Sequence, residues 1–389
     1  MTWGACCGLN FPKREQSEMP SLGVRLQLLI GPTLPMPAPY PLIDSVTAIE
    51  VTNRDSDFDG FKISFSLGKD SLLDYGLLMS GMLDPPSRVI IMVFIGVMPQ
   101  ILIDGVITNH QVVPSNRPGE STLHVFGKDI GVMLNLEEKS ETYPNQPDSV
   151  IVTRLIASYA TLGLVPQISP TTDVPIQIDR IPSQQGTDLA YIRELATRNG
   201  YVFYIEPTPV PGINTAYWGL DNRLGVPQPA LTMNMGADTN VDNPISFSYN
   251  ALGPARPQVT IVEPMTKMNI SIPVPSSLGP PLSMRPAQAL RTILPRDAAN
   301  LSAMQAGLRA VTGASGSASA VTGSGELDAV RYGQALKARR LVGVRGVGFS
   351  YDGNYYVREV THRIRRGEYK QAFSLTRDGH GALLPLVLP

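Results

Sequence analysis

The C-terminal segment over residues 346–377 reads as consecutive β-strands joined by tight turns, and it constrains the fold more than any other part of the chain. Residues 352–354, Asp-Gly-Asn, accept positive φ, so we predict that they reverse the chain between a strand over 347–351 and one that begins at Tyr355. A second reversal is predicted at 366–368. Between the two turns, apolar and polar residues alternate with the period of a strand that has one buried face. The segment therefore predicts part of a barrel or a sandwich.

The alternation also sorts the side chains of this segment into two faces. Tyr356, Val360 and Ile364 share the apolar face, which we expect to point into the interior. The segment and the residues just before it carry the one uneven charge feature of the chain, a basic cluster over 339–377 that begins with Arg339, Arg340 and Arg345. Five arginines of this cluster are candidate assembly contacts: Arg358, Arg363, Arg365, Arg366 and Arg377. A DNA contact is one interpretation of such a cluster. Because no aromatic residues are interleaved on this face, a solvated face or an ion-pair surface between subunits is favoured.

Composition limits the possible partners and favours an assembled protein. The 389 residues include 32 Lys and Arg against 33 Asp and Glu, so there is no net field that would collect nucleic acid or anionic lipid. We therefore expect no nucleic acid as a specific ligand. Only 17% of the residues are charged and 43% are hydrophobic, whereas soluble domains carry roughly 25% charged residues. The neutral surface that remains predicts contacts buried between subunits.

The cysteines and the longest apolar run bear on compartment and membrane. Cys6 and Cys7 are the only cysteines. Adjacent cysteines bridge poorly, so neither a disulfide framework nor a four-ligand zinc site can be built, and a reducing compartment is favoured. The longest apolar run, 89–97, falls well short of the roughly 20 residues that a spanning helix needs. We predict instead a hairpin with strands over 89–95 and 100–107, and no membrane-spanning segment.

Periodicity along the chain predicts a β-rich α+β fold with two β-barrel domains. Two helical segments, 148–163 and 187–199, interrupt the strands and predict a small α+β insertion. A tract rich in Gly, Ala and Ser around 313–325 predicts a flexible loop, followed by a helix over 327–340. The predicted units are an N-terminal arm over 1–23, a first barrel over 24–136, the insertion over 137–244, a second barrel over 245–290 and 334–379, the flexible loop over 291–333, and a C-terminal tail over 380–389.

No motif in the sequence indicates catalysis or a bound cofactor. Residues 55–60, Asp-Ser-Asp-Phe-Asp-Gly, match the first half of a calcium loop, but its twelfth position is Ser66 instead of a bidentate glutamate. An acidic turn between strands is the favoured interpretation. None of the four histidines has an H-x-H or helical partner, and no Walker loop, Rossmann fingerprint or nucleophile elbow is present. We expect no catalytic residues, no cofactor and no metal.

Three passages together resemble the hub family of contractile injection machines, which includes phage late control protein D, the baseplate hubs of contractile tails and the N-terminal half of VgrG spikes. Residues 94–108, which end in Ile-Asp-Gly-Val-Ile-Thr, resemble a hairpin of that family. Residues 183–204, with Gln-Gln-Gly-Thr-Asp-Leu-Ala-Tyr-Ile-Arg-Glu-Leu-Ala, resemble its helix and following strand. Residues 353–377 resemble its closing strands. The resemblance covers about 22–378.

This resemblance implies a homotrimer in which each chain contributes two tube-like barrels, so that three chains present six barrels with pseudo-sixfold symmetry. It implies a symmetry adaptor whose partners are a hexameric inner tube or a tube-initiator protein, a separate VgrG-like or needle-like spike protein, and other baseplate proteins. The spike is expected to be separate because the sequence ends at Pro389, with no needle domain after the barrel. Such a particle is assembled in the bacterial cytoplasm, and is then released or docked on a membrane.

Two other classes of protein stay open as alternatives to a structural hub. A tail-associated cell-wall hydrolase is the first, although no glutamate lies in a lysozyme-like or peptidase context. A carbohydrate-binding β-protein is the second, and it would need clustered exposed aromatic residues, whereas Trp3 and Trp218 are far apart in the sequence. The hub is the favoured hypothesis, and it predicts no enzymatic activity.

Overall fold

The computed structural model describes residues 23–383, apart from 33–34, 69–75, 118, 172, 174, 176–180, 263–268, 274–279, 295–306, 308–309 and 311–318. Its strands up to the first long helix are β1 Val24–Gly31, β2 Met36–Pro37, β3 Val46–Arg54, β4 Gly60–Leu67, β5 Arg88–Ile95, β6 Met98–Val113, β7 Ser121–Asp129 and β8 Glu138–Thr142. The later strands are β9 Leu164–Ile168, β10 Ser183–Thr187, β11 Val202–Pro207, β12 Asn214–Gly219, β13 Gln228–Thr232, β14 Val241–Tyr249, β15 Ala255–Val262, β16 Asn269–Pro273, β17 Ser283–Pro286, β18 Arg291–Ile293, β19 Val321–Asp328, β20 Leu341–Arg345, β21 Gly353–Arg365, β22 Glu368–Arg377 and β23 Gly379–Ala382.

The described helices are fewer and mostly short. The α-helices are α1 Tyr40–Ser45, α2 Gly76–Met79, α3 Asp148–Ala157, α4 Asp188–Asn199 and α5 Ala329–Tyr332. Single 3-10 turns lie at Ile130–Asn135, Ala160–Leu162 and Gly236–Asp238. Among the described residues, no helix combines the length and the apolar character that crossing a bilayer requires.

One large sheet runs through both ends of the chain. Its described strands follow the order β14, β19, β22, β21, β3, β4, β7, β6, β5, β1 and β2, with β20 also paired to β21 and β13 to β20. The antiparallel pair of β21 with β3 joins the C-terminal strands to the N-terminal ones, in a register that sets Glu359 opposite Arg54 and Arg365 opposite Ala48. Thr52 and Thr361, whose hydroxyls lie 3.3 Å apart across this pair, are separated by 309 positions in the sequence. The halves predicted as two barrels are therefore continuous.

Each half of the sheet nevertheless has its own core. The first core is built by strands β1 and β3–β7, and it also takes up Ile364 and Tyr369 from the end of the β21–β22 hairpin. The second core lies among β13, β14 and β19–β22, where Tyr355 and Val360 are fully buried. The predicted parity of the C-terminal segment is confirmed from residue 359 to residue 365, where Val360 and Ile364 are buried while Arg363 and Arg365 are exposed. It is wrong for Tyr356, because a β-bulge between Val357 and Glu359 shifts the alternation and Tyr356 is buried on the opposite face, against Leu282 and Leu341. The predicted hairpin over 89–107 is confirmed as β5 and β6.

The α+β insertion forms a third core around α3 and α4. Thr187 caps α4, since its hydroxyl accepts a hydrogen bond from the Ala190 N–H, and Gly200 ends the helix at a φ of 74°. A glycine is favoured there because side chains strain a left-handed backbone. The buried stripe of α4 is the predicted one: Leu189, Ile192, Leu195 and Ala196. The strands β9, β12 and β11 cover the helices as a small sheet.

Four sequence predictions are wrong in the C-terminal region. The flexible loop predicted over 291–333 is wrong at its two ends, which are β18 and β19, and β19 lies between β14 and β22. Residues 295–306, 308–309 and 311–318 of the predicted loop lie outside the described residues. The glycines of this segment had indicated a linker. Gly325 instead makes room for the Phe373 ring, because a Cβ at this position would lie 2.8 Å from the ring. The helix predicted over 327–340 is only the four residues of α5. The tail predicted over 380–389 begins with β23, which pairs with β17.

The fourth wrong prediction is the strand over 347–351. This stretch is a turn, and the strand that pairs with β21 is β20, just before it. The Asp352 carboxylate accepts hydrogen bonds from the Val347 and Gly348 N–H groups and so holds the chain in the turn. The predicted N-terminal arm over 1–23, with Cys6 and Cys7, lies outside the described residues except for Gly23.

Candidate functional site

A buried ion pair lies where the two halves and the insertion meet. Asp59, at the end of the acidic turn before β4, accepts two hydrogen bonds from the Arg339 guanidinium, at 2.5 and 3.1 Å. The Asn53 side chain and the Arg54 N–H donate the remaining hydrogen bonds to the same carboxylate, at 2.9 Å each. The guanidinium lies 4.6 Å from the ring centre of Tyr204 on β11. One arginine of the C-terminal half thus contacts both other parts.

A second carboxylate, Asp129, lies beside this pair. Its two oxygens accept hydrogen bonds from the N–H groups of Asp59 and Gly131, both at 2.7 Å, and among the described residues no cation is within ion-pair distance of it. Burial and the Asp59 charge raise the pKa of Asp129 to about 7. We call Asp59, Asp129, Arg339 and Tyr204 the joint. The calcium-loop interpretation of 55–60 loses its main ligand candidate, because the Asp59 carboxylate is engaged by Arg339.

A second buried ion pair connects the first half to the insertion. The Asp104 carboxylate on β6 accepts hydrogen bonds from Nε and Nη2 of Arg88, at 2.8 and 2.7 Å, and from the Asn214 side chain, at 2.8 Å. Arg88 also donates to the Gly212 carbonyl, at 3.1 Å. Next to Asp104, a Cβ on Gly105 would lie 2.2 Å from the Lys128 carbonyl oxygen, so that position needs glycine. Asp104 and Gly105 are the Asp-Gly pair of the first resemblance passage, residues 94–108.

The acidic residue of the second resemblance passage, Asp188, is also structural. It is buried at the first position of α4 and accepts hydrogen bonds from Lys139, Tyr159 and Gln184, each at 2.7 Å. Burial raises the pKa of Asp188, but these hydrogen bonds outweigh burial and lower it below its usual value. The passage therefore fixes the packing of the insertion, and its carboxylate is occupied by partners of the same chain.

Four of the five predicted contact arginines are exposed. Arg358 pairs with Asp55 at 3.4 Å and Arg363 with Glu326 at 3.4 Å, and both side chains are about half exposed. Arg366 donates to the Asp44 carbonyl, and Arg365 is exposed beside it. Arg365 and Arg366 line a cleft of about 520 Å³ between β1, the start of β3 and the β21–β22 turn, whose other lining residues include Val24, Leu26, Ile43 and Val330. The structure thus brings two of the arginines together at one cleft.

The prediction that the fifth arginine, Arg377, is a surface contact is wrong. It is fully buried, and its guanidinium donates to the carbonyls of Gly379, Asp352 and Ser350 at 2.8 to 2.9 Å. The guanidinium also lies 4.4 Å from the Tyr355 ring centre. The guanidinium thus supplies hydrogen-bond donors to backbone carbonyl groups of the turn before β21 and of β23. Burial lowers the pKa of Arg377.

This correction predicts a contrast between two arginines of the same hairpin. Arg377→Ala is expected to lower the free energy of unfolding by about 2–3 kcal/mol, because it leaves buried carbonyls without donors. Arg363→Ala, which breaks an exposed pair, is expected to change it by less than about 1 kcal/mol. Urea unfolding of both variants measures the difference. Equal losses would contradict the structural assignment of Arg377.

We find no arrangement of side chains typical of a catalytic site among the described residues. No three His, Cys, Asp or Glu side chains in the described ranges are grouped as metal ligands would be. The buried histidine, His362, shares a hydrogen bond of 2.9 Å with the Tyr369 hydroxyl, and burial lowers its pKa to about 3. Beside the joint, the cavity that His362 lines holds only about 40 Å³. A buried neutral histidine is a packing residue in this setting.

Comparison with known proteins places the fold. No protein-family model and no curated protein sequence matches the chain. A prophage MuSo2 43 kDa tail protein from Shewanella oneidensis is similar in structure at a TM-score of 0.61 and 12% identity, over 91% of this chain and 98% of that one. A tail protein from Neisseria meningitidis MC58 is similar at a TM-score of 0.60 and 13% identity, over 92% and 98%.

The chain has the fold of phage tail proteins. An Escherichia coli component of the type VI secretion system, described as similar to the T4 bacteriophage tail proteins gp27 and gp5, matches at a TM-score of 0.53 and 13% identity, over 89% of this chain and 77% of that one. The resemblance to hub proteins is thereby confirmed at the level of the fold.

Sequence reasoning missed the joint and the roles of Asp104 and Asp188. Both aspartates lie inside passages that resemble the hub family, and this was the only signal in the sequence that marked them out. Arg339 was predicted to lie with the basic cluster on a solvated or intersubunit face, and this prediction is wrong because the side chain is 5% exposed and paired with Asp59. No local pattern separates it from exposed Arg340, and its φ of 63°, rare for arginine, is visible only in the structure. Its partner Asp59 is 280 positions away in the sequence.

Proposed function

We propose that this protein is the structural hub of a contractile injection system, a trimeric adaptor that joins a hexameric inner tube to a separate trimeric spike. The observation that carries the proposal is a tail-protein fold matched over almost the whole length of two phage tail proteins. Within it, each half of one continuous sheet has its own core. Three chains would present six such halves to a sixfold tube, each half acting as a tube-like barrel.

Rigid coupling of the two halves suits this role. An adaptor must present both halves to neighbouring tube subunits at a fixed spacing. The β21–β3 pair and the joint hold the halves in one arrangement through backbone hydrogen bonds and a buried ion pair. The inner tube or tube initiator, the spike and other baseplate proteins are the proposed partners, with assembly in the bacterial cytoplasm and a final place in a phage tail or tail-like particle.

The contact surface that we propose between subunits is the cleft beside Arg365 and Arg366. Its lining combines apolar side chains with charges of both signs, and this combination gives both affinity and orientation in protein interfaces. The acidic lining residues are Asp44, Asp328 and Glu368. Arg358 and Arg363 are proposed as secondary contacts, since each already has an acidic partner in its own chain. The role is structural, and no observation favours the alternative of a cell-wall hydrolase.

Solution mass tests the proposal. Sedimentation of the purified chain, alone and mixed with its tube and spike proteins, is expected to give a trimer. Arg365→Glu combined with Arg366→Glu is expected to weaken trimer formation at least about tenfold, because both cations of the cleft become anions. Arg117→Glu, at an exposed arginine on the β6–β7 loop, is the matched control and should leave the mass unchanged. A chain that stays monomeric even with both partners present would overturn the hub proposal.

A further inference from the structure

The joint contains two buried carboxylates and one cation. Asp59 is 1% exposed, Asp129 is 8% exposed and Arg339 is 5% exposed. Arg339 contacts Asp59 directly, whereas Asp129 accepts only two backbone N–H groups. With both carboxylates ionised, the buried group carries one uncompensated negative charge. With Asp129 protonated, the group is neutral.

The charged and titratable groups around the joint do not remove this imbalance. From β11, Tyr204 stacks on Arg339, while Glu206 is paired with Arg340 at 2.7 Å. Lys128 and Arg193 lie over the Phe58 ring. The remaining neighbours are Asp55, paired with Arg358, the exposed Asp57, and His362 on β21, which burial keeps neutral near pH 7.

The carboxylates are linked to the backbone of both neighbouring strands. The Asp59 N–H donates to the Asp129 side chain, and the Asp129 N–H donates to the Asp59 carbonyl at 2.9 Å. Arg339 is held in turn by its own N–H, which donates to the Val357 carbonyl on β21 at 2.8 Å. A change of charge on Asp129 therefore acts on the contact between the first half, the insertion and the C-terminal half.

We propose that the joint is a proton-sensitive device, in which uptake of one proton by the Asp129 carboxyl stabilises the closed joint and its release favours an opening that exposes Asp129 to water. The proposal is independent of the hub function, because it concerns the coupling of the two halves within one chain. Its sensor is a carboxylic acid, where histidine is the usual group for a response near neutral pH.

The sign of the effect follows from the direction of the pKa shift. The pKa of Asp129 is raised from 3.8 to about 7 in the folded chain. The stabilisation by the bound proton is therefore complete below pH 3.8 and is lost as the pH rises through about 7. Between pH 8 and pH 6, an opening that exposes Asp129 to water should become about tenfold less frequent.

Hydrogen exchange followed by mass spectrometry tests this expectation. After correction for intrinsic rates, peptides that contain Asp59, Gly131 and Arg339 should exchange about tenfold more slowly at pH 6 than at pH 8. Asp129→Asn should reduce this ratio to less than about twofold. Asp57→Asn, an exposed acid of the same turn, is the matched control and should keep the full ratio. Equal ratios in the wild type and Asp129→Asn would overturn the proposal.

A spectroscopic measurement keeps the proposal testable should Asp129→Asn fold poorly. Infrared difference spectra of the wild-type chain with isotope-labelled aspartate should show a protonated carboxyl band that grows between pH 8 and pH 6. Absence of that band above pH 5.5 would overturn the proposal. Neither measurement depends on the oligomeric state, so failure here leaves the hub proposal standing and the converse also holds.

Discussion

Arg339→Ala is expected to lower the free energy of unfolding by about 3–5 kcal/mol, because it leaves a buried carboxylate without its cation. The side chains of Arg339 and Asp59 are only 6% and 2% exposed, so the carboxylate left behind is shielded from bulk water. The change also removes the guanidinium from the Tyr204 ring, and with it the contact to the insertion. Urea unfolding followed by far-ultraviolet circular dichroism measures the loss.

The neighbouring arginine provides the matched control for this prediction. Arg340 pairs with Glu206 at 2.7 Å, but its side chain is 44% exposed. Exposed pairs contribute little, so Arg340→Ala should cost no more than about 1 kcal/mol. Losses of equal size at the two positions would mean that the joint does not hold the halves together.

Asp104→Ala is expected to lower the free energy of unfolding by a similar amount, about 3–5 kcal/mol, because it leaves the buried Arg88 guanidinium without its carboxylate partner. The Arg88 side chain is 9% exposed, and the Gly212 carbonyl would be its remaining described partner. The Asn214 amide would lose its acceptor as well. Chemical unfolding measures the loss, and proteolysis of the insertion should accelerate in the same variant.

Two further variants separate the ion pair from general packing at this place. Glu120→Ala breaks an exposed pair with Arg117 and should cost less than about 1 kcal/mol. Arg88→Met combined with Asp104→Leu replaces both charges by apolar side chains, and should recover most of the stability that Asp104→Ala loses. A double variant as unstable as the single one would show that packing, and not the unpaired charge, sets the cost.

Local signals predicted the elements that depend on neighbours in sequence. The α4 cap at Thr187, its buried stripe and its end at Gly200 follow from residues within one helix. The β5–β6 hairpin and the parity of β21 after its bulge follow from alternation over a few positions. These features were predictable because each is decided by contacts within about fifteen residues.

The remaining features depend on contacts that no local pattern records. The sequence of β19 was interpreted as a linker because it is rich in small residues. The structure shows why they are small: the rings of Phe373 and Phe247 pack against its glycines. Arg377 looked like its exposed neighbours, although it is the one that turns back over the chain. The pairing of β21 with β3 joins segments about 300 positions apart, so neither strand alone could indicate it.

That pairing has a consequence for the order in which the protein can be made. While the chain is being synthesised, β3 emerges early and waits with one open edge, and the first core lacks Ile364 and Tyr369 until the last strands appear. Closing so long a loop is slow, and open strand edges invite association with other chains. We therefore expect the N-terminal half to stay incomplete until β21 and the start of β22 have been synthesised.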